Sequence, residues 1–187
     1  MKKYNDTTYA ILGILTTGHR SGYEIKQFID QSLNHFWKIS YGQIYPTLKR
    51  LEQDELATIQ ITSQEGKPDR KEYFLTSKGK EIFKAWLEQP LKQVPAERHE
   101  VLLKLFFGRH QTRANSIFLL EDYEQKLKKQ YETYQGIEQV ISSHASKQSD
   151  AAYWLFTLDY GKRVTKAAIE WCEATMKELE RLKGDEQ

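Results

Sequence analysis

Cysteine is almost missing from this sequence. The one copy, Cys172, excludes an intrachain disulfide, and no Cys-x-x-Cys pair exists for zinc or redox chemistry. A reducing compartment is the default for such a chain, so a cytoplasmic location is expected. No apolar run approaches the roughly 18 residues that a membrane-crossing helix needs. The opening Met1-Lys2-Lys3-Tyr4-Asn5-Asp6 lacks the apolar core of a signal peptide. No membrane partner is expected. An excess of one charge is lacking too: 28 Lys and Arg face 26 Asp and Glu, a net of +2. That balance does not imply nucleic acid, so charge placement has to carry any such reading. The five histidines (His19, His35, His99, His110 and His144) show no metal-ligand spacing. No Ser-His-Asp set, paired-carboxylate motif or glycine-rich phosphate loop stands out, and Glu121-Asp122 and Glu178 to Glu180 fall among helix surface charges. The expectation is a protein without catalytic residues, cofactor or metal, with Cys172 as a small buried hydrophobe.

What is present centres on Ser40-Tyr41-Gly42-Gln43-Ile44-Tyr45-Pro46-Thr47-Leu48-Lys49-Arg50-Leu51-Glu52. Ser40 with Gln43 reads as a capping box that starts a helix. Ile44, Leu48 and Leu51 form one apolar stripe. The opposite face carries Gly42, Pro46 and Lys49, flanked by Gln43, Tyr45 and Arg50. Gly42 weakens a helix and Pro46 removes one of its hydrogen bonds, so a kink or tight first turn is expected. An ordinary amphipathic surface helix needs neither residue. A helix that brings its backbone close to something large can carry both. Its free first-turn N–H groups suit a phosphate, Gln suits adenine, and Lys or Arg suits guanine or phosphate.

The flanking segments support that reading. Asp6 or Asn5 can cap a helix to about Thr17, buried by Ile11, Leu12 and Leu15 and broken at Gly18. Ser21 with Glu24 is a second capping box, followed by Ile25, Phe28, Ile29 and Leu33 at helical spacing. Asn34 to Ile39 is apolar enough to pack beneath the domain. Ala57 to Thr62 and Lys71 to Thr76 alternate as strands. The polar turn Ser63 to Arg70 between them gives a hairpin whose tip and exit carry Lys67, Arg70 and Lys71. Thr76 caps a fourth helix with Ile82, Phe83, Trp86 and Leu87 as its buried face. Three helices, a hairpin and a helix make a winged helix-turn-helix, with the wing along the phosphate backbone. A charged but merely solvated hairpin tip is the alternative.

Gln89-Pro90 to Val94-Pro95 marks a boundary, so residues 1–90 and 96–187 are expected to be separate domains. Glu97 to Phe107 reads as a short apolar helix (Val101, Leu102, Leu105, Phe106) ended by Gly108. A long helical pattern runs from Thr112 to Ile141, with Leu120, Tyr123, Leu127, Tyr134, Ile137 and Ile141 on one face and Gln130 in the polar slot. Ser142 to Ser149 breaks it, and Asp150 starts the last helix. There Trp154, Leu158, Gly161, Thr165, Ala168, Cys172, Thr175, Leu179 and Leu182 make a heptad seam with a small middle. Covering both seams points to a second copy of the chain in a C2 dimer. An antiparallel hairpin within one chain is the alternative, and both can hold at once. Aromatics such as Phe36, Phe106, Phe107, Phe118, Phe156, Tyr160 and Trp171 could line a planar ligand's pocket, or simply pack in the core.

Together, Tyr9-Ala10-Ile11-Leu12-Gly13-Ile14-Leu15, Ser21-Gly22-Tyr23-Glu24-Ile25, Phe36-Trp37 and Gly42 to Glu52 resemble the PadR family of bacterial transcriptional regulators. Gln43-Ile44-Tyr45-Pro46 is the family's most specific signature. The resemblance is close over the first ninety residues, and the remainder resembles the longer members, whose C-terminal helical domain dimerises. It implies a mainly α protein: a winged helix-turn-helix N-terminal domain plus a C-terminal domain of long antiparallel or coiled helices. It further implies a homodimeric, sequence-specific repressor on a pseudo-palindromic double-stranded operator, released by a small effector, a phenolic acid in the namesake members. By position, Ser40, Tyr41, Gln43, Tyr45, Pro46 and Lys49 match the recognition-helix contacts, with Arg50 beside them. Ser21 and Tyr23 match phosphate contacts at the start of the second helix, and Lys67, Arg70 and Lys71 match the wing loosely. The second domain has no equally clear motif. A small aromatic effector would have Trp37, Trp154 and Arg163 (or Lys162) as candidate contacts. A winged-helix module that binds protein and not DNA is the competing reading.

Overall fold

The computed structural model describes residues 4–64, 67–91, 93–94, 97–145 and 149–182. It divides into two compact units, Met1–Val94 and Pro95–Gln187.

The first unit opens with α1 (Asp6–Thr16), whose N-cap Asn5 accepts the Thr8 N–H at 2.9 Å. Ile11, Leu12, Ile14 and Leu15 bury its inner face, and Gly18, at φ 90°, ends it in a conformation that suits glycine. α2 (Gly22–Gln31) starts from a complete capping box: Ser21 Oγ accepts from the Glu24 N–H, and the Glu24 carboxylate accepts from the Ser21 N–H. Ile25 and Ile29 are fully buried beneath it. A 3-10 turn, Leu33–His35, leads on to α3 (Tyr41–Gln53). The connecting segment packs less than expected: Ile39 is buried, but Phe36 and Trp37 are exposed.

α3 buries the predicted stripe, Ile44, Leu48 and Leu51. It ends with a Schellman arrangement: Leu56 N–H bonds Leu51 C=O at 2.8 Å, and Glu55 N–H bonds Glu52 C=O at 2.9 Å. Glu55 takes the left-handed position, φ 58°, that glycine usually fills. β1 (Ala57–Gln64) and β2 (Lys67–Leu75) pair antiparallel, from Ala57 opposite Leu75 to Thr62 opposite Arg70, with an irregularity between Thr62 and Gln64. The hairpin is longer than the alternation predicts. The polar stretch expected as turn is mostly strand, because backbone pairing continues where one-sided burial has stopped. Glu65-Gly66 lie outside the described residues. β2 also hooks back, its Tyr73 N–H bonding the Arg20 carbonyl at 2.9 Å. α4 (Ser77–Leu87) is capped by Thr76, and its Trp86 stacks on Tyr9 at 4.7 Å. Leu87, expected inside, is exposed.

In the second unit, α5 (Glu100–Phe106) starts from His99, later than the expected Glu97, and a 3-10 turn, Gly108–His110, follows it. Leu102 and Phe106, two of the residues that make this helix apolar, are exposed. α6 (Arg113–Val140) is capped by Thr112, and Ile141–Ala145 continues it as a π-turn where a break was expected. α7 (Ala151–Arg181) folds back antiparallel. Gly161 lies against the Tyr134 ring, Lys162 reaches Glu138, and Cys172 packs with Leu120 and Leu127. The heptad seam therefore faces α6 and is partly covered from within the chain. Leu158, Thr165 and Cys172 are its buried members, and at Gly161 its small middle receives the Tyr134 ring. Leu182 falls beyond the helix and is exposed. Of the aromatics considered for a pocket or a core, Phe36, Phe106, Phe107, Phe118, Phe156 and Tyr160 are all at the surface.

Candidate nucleic-acid interface

The buried stripe of α3 fixes what the helix shows to solvent. Gly42, Gln43, Tyr45, Pro46, Lys49 and Arg50 are all exposed. Pro46 sits inside an otherwise continuous helix, and since it has no N–H, the Gly42 carbonyl loses its usual partner. The predicted capping box is not formed here. Ser40 is the N-cap residue, but its hydroxyl caps nothing, and the Gln43 N–H bonds the Ser40 carbonyl instead at 2.9 Å. The first turn thus keeps N–H groups without a side-chain cap, which favours an incoming anion.

The two tyrosines of α3 are held by α2. Tyr41 donates its hydroxyl hydrogen to Asp30 and carries the Lys26 ammonium 4.4 Å above its ring. The Asp30 hydrogen bond holds its proton more tightly than usual. Tyr45 lies one turn further on, 63% exposed, with its ring against Gly22. Tyr23, also exposed, accepts from the Gln27 amide at 3.0 Å. Arg50 is 3.7 Å from Asp54 and 5.4 Å from the Tyr4 ring centre. Lys49 makes no ion pair among the described residues.

In the wing, one of the three basic residues is tied to the rest of the unit. Arg70 lies within β2, and its guanidinium bridges Glu24 at 2.9 Å and Glu72 at 3.2 Å. It latches the wing to the capping box of α2, so its charge is already partly engaged within the fold. Glu24 accepts from the Ser21 and Arg20 N–H groups as well, and these hydrogen bonds, the Ser21 N–H first, lower its pKa despite desolvation. Lys71 is exposed on β2, while Lys67 starts that strand and its side chain lies outside the described residues. Gly22, Lys26, Asp30 and the second role of Glu24 escaped the sequence reading. Only Gly22 left a signal, a glycine directly after a strong N-cap.

Of the effector candidates, the two on α7 do not converge. Trp37 belongs to the first unit, and Trp154 and Arg163 to the second. On α7 the latter two lie about 180° apart around a 3.6-residue helix. Trp154 is half-buried, and Arg163 is exposed and paired with Asp159 at 2.7 Å. Lys162 is bound to Glu138 at 2.6 Å. Two open grooves of the second unit, one lined by Leu103, Lys104, Phe107, His110 and Gln111 and one by Phe118, Glu121, Asp122, Glu124, Gln125 and Met176, include none of these.

Comparison with known proteins decides the assignment. Residues 11–85 match the family described as Transcriptional regulator PadR-like family. The negative transcriptional regulator PadR of Bacillus subtilis is 31% identical over 174 residues, 90% of this chain and 94% of that protein. The chain belongs to the PadR-like family of transcriptional regulators. Residues 97–180 match the family described as Virulence activator alpha C-term. The crystal structure of Bacillus subtilis PadR in complex with operator DNA superposes with a TM-score of 0.84 at 29% identity, covering 94% of this chain and 99% of that one. The same PadR in complex with p-coumaric acid gives 0.77 at 28% identity, covering 92% and 98%. The mainly α fold, a winged helix-turn-helix followed by a helical region, is that of this PadR-like family. Among the described residues no helix is long and apolar enough to cross a membrane.

Proposed function

We propose that this chain binds a pseudo-palindromic DNA operator as a homodimer, represses transcription there, and is released by a small molecule. The observation that carries the reading is the outward face of α3, where Gln43, Tyr45 and Lys49 stand exposed over a glycine, a proline and an uncapped first turn. Gln43 and Tyr45 read base edges, Lys49 and Arg50 meet bases or phosphates, and Ser40, Tyr41, Ser21 and Tyr23 position the backbone. Lys71, with Lys67, places the wing along the phosphates. Residues 1–90 serve as the DNA-binding domain and 96–187 as the dimerising and effector-sensing domain. The chain acts by binding and not by turnover, in the cytoplasm where the operator lies. An operator complex of a relative with the same architecture supports this reading.

Dimerisation draws support from the large apolar side chains left at the surface of the second unit, including Leu103, Phe106, Phe118, Phe156 and Tyr160. Light scattering should give a dimer, and Phe156→Glu should weaken it. Release works by population shift: an effector that binds better to the form with altered recognition-helix spacing lowers operator affinity. Binding of p-coumaric acid by the Bacillus relative supports a small planar effector. The activator description attached to residues 97–180 favours the opposite sign of regulation as a second reading, and a promoter-reporter assay separates the two.

Fluorescence anisotropy against promoter fragments, at two salt concentrations, tests the central claim. Specific binding with a steep salt slope is expected, because displaced counterions make log K fall roughly in proportion to the phosphates contacted. Affinity indifferent to salt, or no preference for any fragment, overturns it and favours the protein-binding module.

A further inference from the structure

We infer that Gly22, at the start of α2, is a positioning residue for DNA recognition: it is the shelf on which Tyr45 of α3 is held. The inference rests on the reading above that the outward face of α3 reads DNA. A Cβ placed on Gly22 would meet the Tyr45 ring at 2.6 Å, 2.9 Å and 3.2 Å, to Cε1, Cζ and the hydroxyl oxygen. No folded protein tolerates the shortest of these, so ring and side chain exclude each other.

The backbone gives no other reason for glycine here. Among the described glycines only Gly18 has a positive φ, so Gly22 adopts a conformation open to any residue. It is the first residue of an α-helix, where alanine is the better helix former. Yet Gly22 is buried, and all three nearest atoms to its missing side chain belong to Tyr45. The glycine serves the tyrosine.

The shelf is also rigid. Ser21 and Glu24 close the capping box on either side of Gly22, and Glu24 is tied by Arg70 to the wing. One turn before Tyr45, the Tyr41 hydroxyl is tied to Asp30, further along the same α2. α2 therefore orients both tyrosines of the reading helix before any DNA arrives. An exposed side chain left to rotate must give up that freedom on binding, whereas one already set on a shelf has little left to lose.

Gly22→Ala separates positioning from folding. The blocking atoms are the far end of a flexible, largely exposed side chain, so the ring can swing to solvent and the fold need not yield. The full-length chain is titrated by anisotropy against the duplex that the unaltered protein selects from a random library. Gly22→Ala should bind about five- to twentyfold more weakly, the cost of freeing and displacing one aromatic contact. Its Tm should not fall and its salt slope should not change, since no phosphate contact is touched. In a Tyr45→Ala background, adding Gly22→Ala should cost nothing further. If Tyr45→Ala binds weakly while Gly22→Ala binds normally, the shelf is refuted and the DNA-reading role of Tyr45 stands. If Tyr45→Ala binds normally, that reading role fails and the shelf fails with it. Additive losses in the double variant, a lower Tm for Gly22→Ala, or a changed salt slope would each show that Gly22 acts on its own account, and would overturn the inference.

Discussion

Removing the Glu24 carboxylate tests the local structure that sets α2, α3 and the wing together. In Glu24→Ala the Arg20 and Ser21 N–H groups lose their acceptor at 3.0 Å and 2.9 Å, and Arg70 loses a partner at 2.9 Å. Losing a capping interaction costs about 1 kcal/mol. The ion pair adds roughly 0.5–1 kcal/mol after discounting for solvent, since the Glu24 side chain is 32% exposed and Arg70 44%. The sum, about 1.5–2 kcal/mol, corresponds to a Tm lower by roughly 6–16 °C for a domain of this size. The sign with pH follows from the direction of the shift. The folded pKa lies below the ordinary value of 4.5, chiefly through the Ser21 N–H. The contribution is therefore complete above the unfolded pKa and is lost as pH falls through the folded one. Differential scanning calorimetry at neutral pH and at about pH 3 is the assay. The gap between Glu24→Ala and the unaltered chain should be wide at neutral pH and should narrow in acid. An equal gap at both, or none at neutral pH, would refute the assignment of Glu24 as cap and latch.

Gly79→Ala would place a Cβ 2.2 Å from the Leu56 carbonyl oxygen, which already accepts the Thr76 N–H at 3.1 Å. Backbone cannot move aside as a side chain can, so about 3 kcal/mol of destabilisation is expected in urea unfolding. Lys49→Ala and Lys71→Ala should each lower the slope of log affinity against log salt by about 1, whereas Arg70→Ala should lower it less because Glu24 and Glu72 already hold that charge; anisotropy at several salt concentrations checks the order. Burial pushes the Cys172 thiol up to about 11, so iodoacetamide at pH near 8 should leave it unmodified in the native chain and alkylate it at once in denaturant.

The first ninety residues were legible because their signals are local. Ser21 with Glu24 and Thr76 before Gly79 are caps that act within three residues, and Ile44, Leu48 and Leu51 state their buried face by spacing alone. Ser40 with Gln43 has the same spelling, yet no side-chain cap forms, since the box needs a side-chain geometry that spacing does not dictate. The hairpin was under-read because one-sided burial stops before the pairing does. Arg70 was read as a tip cation because its partner Glu24 lies 46 residues away, beyond any local pattern. The same holds for Gly22, whose reason is a ring on another helix.

In the second unit the sequence offered one stripe on α7 and the structure uses two. The inner one, which includes Leu158, Thr165 and Cys172, packs against α6 and buries these three side chains. The outer one runs from Tyr153 through Phe156, Tyr160 and Val164, all exposed. Its spacing of three, four and four makes a face as continuous as the seam, but aromatics that tolerate water disguise it among polar neighbours. A stable interface buries about 800 Å² on each partner, more than these four side chains supply. Leu103 and Phe106 of α5 and Phe118 of α6 add to what is available. These exposed side chains offer a dimer surfaces that the heptad pattern did not mark, while the heptad pattern itself builds the two-helix arm that carries them.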